Sequence, residues 1–505
     1  MNFQNFDNMM AVQGQVYKKK PSRATIRFTS DGQGYFIKKH FGVGWREIFK
    51  NVLLLRLPVF SASTERLAIN KLHALGIPTA QLVAYGQRGF NPIKRQSFLI
   101  TQALPNVITL EQVSLNHPEW FKDFVFKKDC IQKIAEIART LHTAGLNHRD
   151  FYLCHFLLDE ACHSSHPREC EDPGSQSKSI DSRVRGNDGK SSGNDGQFKI
   201  YLMDLHRMQV RKRLPMRWRI KDLAALYFSV QNVNLTKRDI LRFLSSYFAS
   251  SWQEVISKHA KFLYKVERRA SKLYNKDLFF KQQNWRKRFI CYQEYFSPTM
   301  KQLLTNPDDL IAHGEILKDE GVTTVACVKL NNQEFIVKRY NIKGFWHRLK
   351  RLVRSSRAAI CWHNAHLLQF HKIATPKPVA FIEQRFGPLR GKAYFITEYV
   401  VGHTAYKCLQ KSVAQKIVNI LLALSQKNIK HGDMKMGNFV VTDNEVYVTD
   451  LDSMRQYHPF RYKWNNSFAK DKERMLRCWQ DDPDAVAVIL ANARIQILDA
   501  RSSRV

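Results

Sequence analysis

Two stretches of this chain set an acid and a metal-capable side chain five residues apart behind a histidine. The first is His148-Arg149-Asp150 with His155, and the second is His431-Gly432-Asp433 with Asn438. Upstream of each, a β-rich stretch carries an internal lysine, Lys38 in YFIKKHF and Lys338 in EFIVKRY. Downstream of each, an apolar run ends in Asp-Leu, at Asp204 in IYLMDL and at Asp450 in VYVTDL. Taken in this order the residues are parts for phosphoryl transfer. A lysine neutralises nucleotide phosphates, a loop Asp accepts the proton of an attacking hydroxyl, and the downstream Asp with the side chain at plus five holds Mg²⁺, a hard ion that prefers oxygen. One His-x-Asp alone says little; the ordered set, present twice, says much.

Those residues need elements to hold them, and the elements also come in pairs. An amphipathic helix, a polar loop, a short strand, a turn and a second strand are readable in IAEIARTLHTAGLNHRDFYLCHFLLD with FKIYLMDLHRM, and again in IVNILLALSQKNIKHGDMKMGNFVVTD with EVYVTDLDSM. The offset is 300 for Lys38 and Lys338 and 283 for Asp150 and Asp433, but 246 for Asp204 and Asp450. The first half therefore carries 37 extra residues between its two Asp positions. They fall in 160–197, a run of Gly, Ser, Asn and Asp that reads as a disordered loop joining two strands.

Composition bounds the class. The chain has 505 residues, 44% of them hydrophobic, enough for more than one folded domain. Its formal net charge of +36 favours an anionic partner, whether nucleic acid, nucleotide or membrane surface. The longest apolar run, Val52–Phe60, is too short for a membrane span and contains Arg56 and Pro58. No signal peptide is expected, and nine cysteines without a framework read as reduced thiols. Cys154, Cys162, His163, His166 and Cys170 invite a zinc reading, but they contain no CxxC pair and straddle the polar insert. No nucleic-acid recognition motif is present, so nucleic acid is not expected as a partner.

The residues FIKKHFGVGWREIFKN, ERLAINKLHALGIPT, LNHRDFYLCHFLLD, YLMDLHRM and KDLAALYFS resemble the lipopolysaccharide kinase (Kdo/WaaP) family over most of 16–250. The second half resembles a related subgroup through KHGDMKMGNFVVTD, VYVTDLDSM and KDKER. The resemblance implies an α+β fold of two tandem protein-kinase-like bilobal domains. It also implies ATP- and Mg²⁺-dependent phosphorylation of a sugar hydroxyl, heptose or Kdo, on the lipopolysaccharide core at the cytoplasmic face of the inner membrane. By position, Asp150 is the catalytic base, Lys38 and Glu65 are the nucleotide lysine and its helix partner, and Asp204 with His155 holds metal. Lys338, Asp433, Asn438 and Asp450 match in the second half, and Asp222 and Asp471 match the acid that braces the catalytic loop.

The expected organisation is a tail at 1–15, a first domain at 16–296, a linker at 297–310, a second domain at 311–480 and a tail at 481–505. Neither half has GxGxxG: the phosphate loop is the basic Tyr17–Arg23 in one and LKDEGVTTV in the other. The second half offers Cys361 where the first has Glu65. Lys343–Arg357 alternates aromatic and cationic residues and suits an anionic bilayer, and Arg207–Lys221 suits acceptor phosphates. Two other functions compete: a kinase for a protein or small-molecule hydroxyl, and a pseudokinase scaffold.

Overall fold

The computed structural model describes residues 3–20, 22–42, 62–91, 95–160, 199–285, 289–341, 355–386, 389–407, 410–457 and 463–478. The polar insert, most of Lys343–Arg357, the residues from 43 onward in HFGVGWREIFKN, and Cys162, His163, His166 and Cys170 lie outside these residues, as does the tail beyond 478. The fold is α+β. The chain divides into two units, Met1–Ala270 and Ser271–Val505.

The first unit opens with α1 (Phe6–Ala11), capped by the Asn5 side chain on the Asn8 amide. This segment is no loose tail. Met9 and Val12 are buried with Ile26, Phe28, Ile37, Phe98 and Ile100, and Lys39 Nζ donates to the carbonyls of Met10 and Val12. Five antiparallel strands follow: β1 (Gln15–Lys20), β2 (Arg23–Ser30), β3 (Gln33–His40), β4 (Leu82–Arg88) and β5 (Gln96–Gln102), in the order β1-β2-β3-β5-β4. Alternate residues of β2 are buried, as period-two patterning requires. Helix α2 (Ser63–Ala74) lies between β3 and β4 in sequence.

A mostly helical part comes next. It contains α3 (Leu110–Asn116), α4 (Phe124–Thr143), α5 (Met216–Ser229) and α6 (Lys237–Phe248), with the short strands β6 (Val107–Thr109), β7 (Leu146–Asn147), β8 (Phe156–Asp159), β9 (Ile200–Leu202) and β10 (Gln209–Val210). Asp123 caps α4 by accepting from the Val125 and Phe126 amides. Strands β8 and β9 pair antiparallel, Phe156 opposite Leu202, so the insert leaves one strand and returns by its neighbour. Helix α7 (Trp252–Phe280) contains the division between the units.

The second unit has a seven-stranded sheet of β11 (Gln282–Trp285), β12 (Phe289–Tyr292), β13 (Glu315–Asp319), β14 (Thr323–Leu330), β15 (Gln333–Tyr340), β16 (Pro378–Phe386) and β17 (Leu389–Glu398). Its order is β11-β12-β16-β17-β15-β14-β13; without the first hairpin it is the order of the first unit. The register shift between Val16 and Lys18 has a counterpart between Ile316 and Lys318. At Gly14 and Gly314 a Cβ would meet the carbonyl oxygens of Arg27 and Cys327 at 2.2 and 2.7 Å, so both places require glycine.

Two expected boundaries move. Gln282–Trp285 and Phe289–Tyr292 belong to the second sheet, because Phe289–Cys291 pair with Ala380–Ile382. Residues 297–310 are not a linker: they form α8 (Pro298–Thr305) and the start of α9 (Pro307–His313), and Met300, Leu303, Leu304 and Ile311 are buried against the sheet. Their apolar spacing is helical, which the polar residues around Asn306 obscured. Helix α10 (Arg357–Phe370), β18 (His403–Thr404), α11 (Lys411–Gln426), β19 (Ile429–Lys430), the hairpin β20 (Phe439–Val441) and β21 (Val446–Val448), β22 (Arg455–Gln456) and α12 (Lys463–Cys478) complete the unit. Among the described residues, no helix is long and apolar enough to cross a membrane.

Candidate phosphoryl-transfer site

Lys38 sits near the end of the central strand β3, and its Nζ lies 2.5 Å from Glu65 Oε1. Glu65 is in the first turn of α2 and is buried, with Oε2 left without a partner. Burial opposes the charge on Lys38, yet Glu65 and Asp204 more than compensate and its pKa is raised. Lys18 and Arg23, from the basic β1–β2 hairpin, line the same cleft as Lys38, Glu65 and Asp204. The hairpin thus brings side-chain cations where a glycine-rich loop would bring backbone N–H groups.

Asp204 lies two residues beyond β9 in the left-handed conformation, φ 58°. Its Oδ1 lies 2.5 Å from His206 Nδ1 and its Oδ2 3.5 Å from His155 Nε2. Burial works against its ionisation, but His206, Lys38 and His155 outweigh it and hold the carboxyl far below the usual range. The other nitrogen of His155 lies 2.6 Å from the Asp150 carbonyl. That carbonyl only accepts, so Nδ1 carries the proton. His155 therefore ties the loop holding Asp150 to the strand end holding Asp204.

The Asp150 carboxylate itself is not free. Arg207 Nη1 donates to both of its oxygens at 2.8 Å. Sequence reading placed Arg207 in a basic segment and missed this pairing; its only signal was a cation three residues beyond the strand-end Asp. The loop is braced from below by Asp222, fully buried on α5, which accepts from the His148 and Arg149 amides at 2.7 and 2.9 Å. His148 is buried, and burial lowers its pKa; its Nε2 lies 2.8 Å from the Met203 carbonyl.

The second unit repeats this scaffold. Asp471 accepts from the His431 and Gly432 amides at 2.8 and 3.1 Å, and His431 Nε2 lies 2.9 Å from the Thr449 carbonyl. Asn438 Nδ2 donates to the Asp433 carbonyl at 2.7 Å, as His155 does to Asp150, and Asp450 is left-handed at φ 57°. The residue before the loop Asp has φ 73° at Arg149 and 88° at Gly432. A side chain costs strain there, and at Gly432 a Cβ would also lie 2.8 Å from the Ser453 carbonyl oxygen.

The charges differ between units. Lys338 Nζ meets Asp450 Oδ1 directly at 2.5 Å. Cys361, expected opposite Glu65, is buried, lies 3.1 Å from the Tyr340 hydroxyl, and has its thiol pushed up to about 12 by burial. Asp433 is held by Lys435 Nζ at 3.1 Å, Arg474 Nη1 at 3.2 Å and Asn438 Nδ2 at 3.2 Å. These partners outweigh its burial and lower its pKa. In the loop corresponding to the basic hairpin, Lys318 pairs with Glu320 at 2.7 Å. Among the described residues, no group of three or more His, Cys, Asp and Glu side chains is arranged to hold a metal ion, and Cys154 is a free thiol.

The sequence profile of the lipopolysaccharide kinase (Kdo/WaaP) family matches residues 7–168 and 189–247, all within the first unit. The lipopolysaccharide core heptose(I) kinase WaaP of Pseudomonas aeruginosa is 40% identical over 271 residues, covering 54% of this chain and 90% of the relative. The enzyme of the same name from Escherichia coli is 37% identical over 268 residues, 53% of this chain and 90% of its own length. A solved structure of WaaP in complex with acyl carrier protein aligns with a TM-score of 0.41 and 35% identity, covering 53% of this chain and 92% of that one. At this identity, and with nine-tenths of the relatives' length covered, the chain belongs to the lipopolysaccharide kinase (Kdo/WaaP) family.

Proposed function

We propose that the chain is two tandem protein-kinase-like bilobal domains, and that the first phosphorylates a hydroxyl of a lipopolysaccharide core sugar, heptose rather than Kdo, with ATP as donor. Kinase-family membership supports ATP use, and the names of the relatives support the heptose acceptor. The observation that carries the reading is that the Lys38–Glu65 pair lines one cleft with Asp204, which His155 ties to the Asp150 loop.

In this reading Asp150 orients the attacking hydroxyl and takes its proton once Arg207 releases the carboxylate. Lys38, held by Glu65, and the hairpin cations Lys18 and Arg23 neutralise phosphate charge in a partly dry cleft. Asp204 and Asp450 are carboxylates beside a lysine at a strand end, and this donor chemistry fits Mg²⁺. The ion, when bound, neutralises charge on the transferring phosphoryl group. His155, a softer donor already tied to the Asp150 carbonyl, serves as a brace.

The second unit is read as supporting rather than catalytic. Lys338 is paired with the carboxylate expected to hold metal, and the neutral Cys361 offers no charge partner in place of Glu65. The net charge of +36 supports peripheral attachment to an anionic inner-membrane surface, cytoplasmic side, alongside a polyanionic acceptor.

The test is phosphate transfer from ATP to dephosphorylated lipopolysaccharide core by wild type, Asp150→Asn and Asp433→Asn. Loss only in Asp150→Asn supports the full reading. Loss in both overturns the supporting role of the second unit. Absence of transfer in wild type that still binds ATP overturns the sugar acceptor.

A further inference from the structure

We propose that Arg149, Arg217 and Lys221, gathered about the indole of Trp218 beside the Arg207–Asp150 pair, form a subsite for an anionic group, phosphate or carboxylate, carried by the sugar acceptor. The inference rests on the reading of the first unit as a sugar kinase and names what its acceptor must carry.

The cations crowd one ring. Arg149, Arg217 and Lys221 lie 5.5, 5.4 and 5.4 Å from the Trp218 centroid, and Arg211 lies at 4.9 Å. The face of one indole attracts a cation, but it does not offset the mutual repulsion of several. Arg211 is bonded to neutral amides, those of Asn147 and Gln209. Among the described residues, neither Arg217 nor Lys221 is bridged to a carboxylate.

Three further observations ask for a negative charge at this place. Helix α5 begins at Met216 with no side-chain cap and no acid in its first turn, where Arg217 and Trp218 sit. That end carries the positive pole of the helix, which favours an anion. The Trp218 indole N–H is buried without an acceptor. Burial and the repulsion of Arg149 and Arg207 push Lys221 down to about 8, against the opposing pull of Asp150 and Asp222.

The position also matters for the reaction. Lys221 is within electrostatic range of Asp150, so an anion held there sets its sugar beside the carboxylate that takes the proton. The same anion competes with Asp150 for Arg207. Acceptor binding thereby frees the base, and the base stays neutralised while the subsite is empty.

The experiment is calorimetric binding, without ATP, to the full chain. The probes are a phosphorylated lipid-free core oligosaccharide, the same sugar after phosphatase treatment, and the same sugar after carboxyl reduction. Wild type binds the untreated oligosaccharide about 10- to 100-fold tighter than whichever form has lost the recognised anion, which also says whether that anion is phosphate or carboxylate. Arg217→Ala/Lys221→Gln loses this discrimination while its melting temperature and ATP affinity show a folded protein. Equal binding of all three sugars by wild type, or unaltered discrimination in the variant, overturns the subsite. If discrimination is present but no phosphate is transferred, the kinase reading fails and the subsite stands; transfer without discrimination has the reverse meaning.

Discussion

At the scale of single residues, the decisive feature is that Asp150, the proposed base, has both carboxylate oxygens bonded by Arg207. Asp150→Asn keeps a side chain that can lie beside Arg207 but cannot take a proton. Its kcat is expected to fall about 10²- to 10⁴-fold with ATP affinity retained, as read by steady-state transfer. Arg207→Ala frees the carboxylate and removes a cation that faces the acceptor; its KM for the anionic acceptor is expected to rise even where its kcat is preserved. Lys221 gives a pH signature. It faces Arg149 and Arg207 from outside its helix, with Asp150, and Asp222 from its own helix. It is cationic below about 8 and neutral above, so affinity for the anionic acceptor is expected to weaken as pH rises through 8. A Lys221→Gln profile flat across that range is the matching control.

At the scale of elements, the loops are held by buried acids on the helices beneath them. Asp222 accepts from two backbone donors of the loop. Asp222→Ala leaves both unpaired at a cost of about 1–3 kcal/mol each, and kcat falls as the loop loses its geometry. Urea unfolding measures the first effect and transfer assays the second. The amino-terminal helix is part of the core of its sheet, with Met9 wholly buried. Met9→Ala is expected to cost about 2–5 kcal/mol in the same unfolding assay.

At the scale of the whole molecule, both units carry a histidine that burial holds down to about 4, His40 in the first and His366 in the second. Unfolded histidines titrate near 6.5. Between these values the unfolded chain binds more protons than the folded one, so stability is fully present above about 6.5 and is lost as pH falls toward 4. The limit is on the order of 3 kcal/mol per histidine, and denaturant midpoints from pH 7 to 4.5 measure it. His366 is bonded on both nitrogens, to the Trp362 carbonyl at 2.7 Å and the Tyr292 hydroxyl at 2.5 Å, so it is burial that opposes the charge of a second proton.

Much of this was legible in the residues. The Lys, His-x-Asp and Asp-Leu parts recur in the same order in both halves because a phosphoryl-transfer geometry tolerates few residue types in few arrangements. The insert was visible because it lacks apolar residues, and its flanking strands pair as its position implied. The α+β class was implied by the family resemblance, and the β-rich and amphipathic helical stretches agree with it. What only the tertiary structure decided is who partners whom. Cys361 could be aligned with Glu65, but its bond to Tyr340 and the turn of Lys338 to Asp450 depend on side chains from separate elements meeting. The same holds for Arg207 on Asp150, for the cations around Trp218, and for Met9 and Leu303 in their cores. Local spacing determines which element a residue occupies; burial and charge pairing are settled by neighbours distant in sequence, and those exist only once the chain has folded.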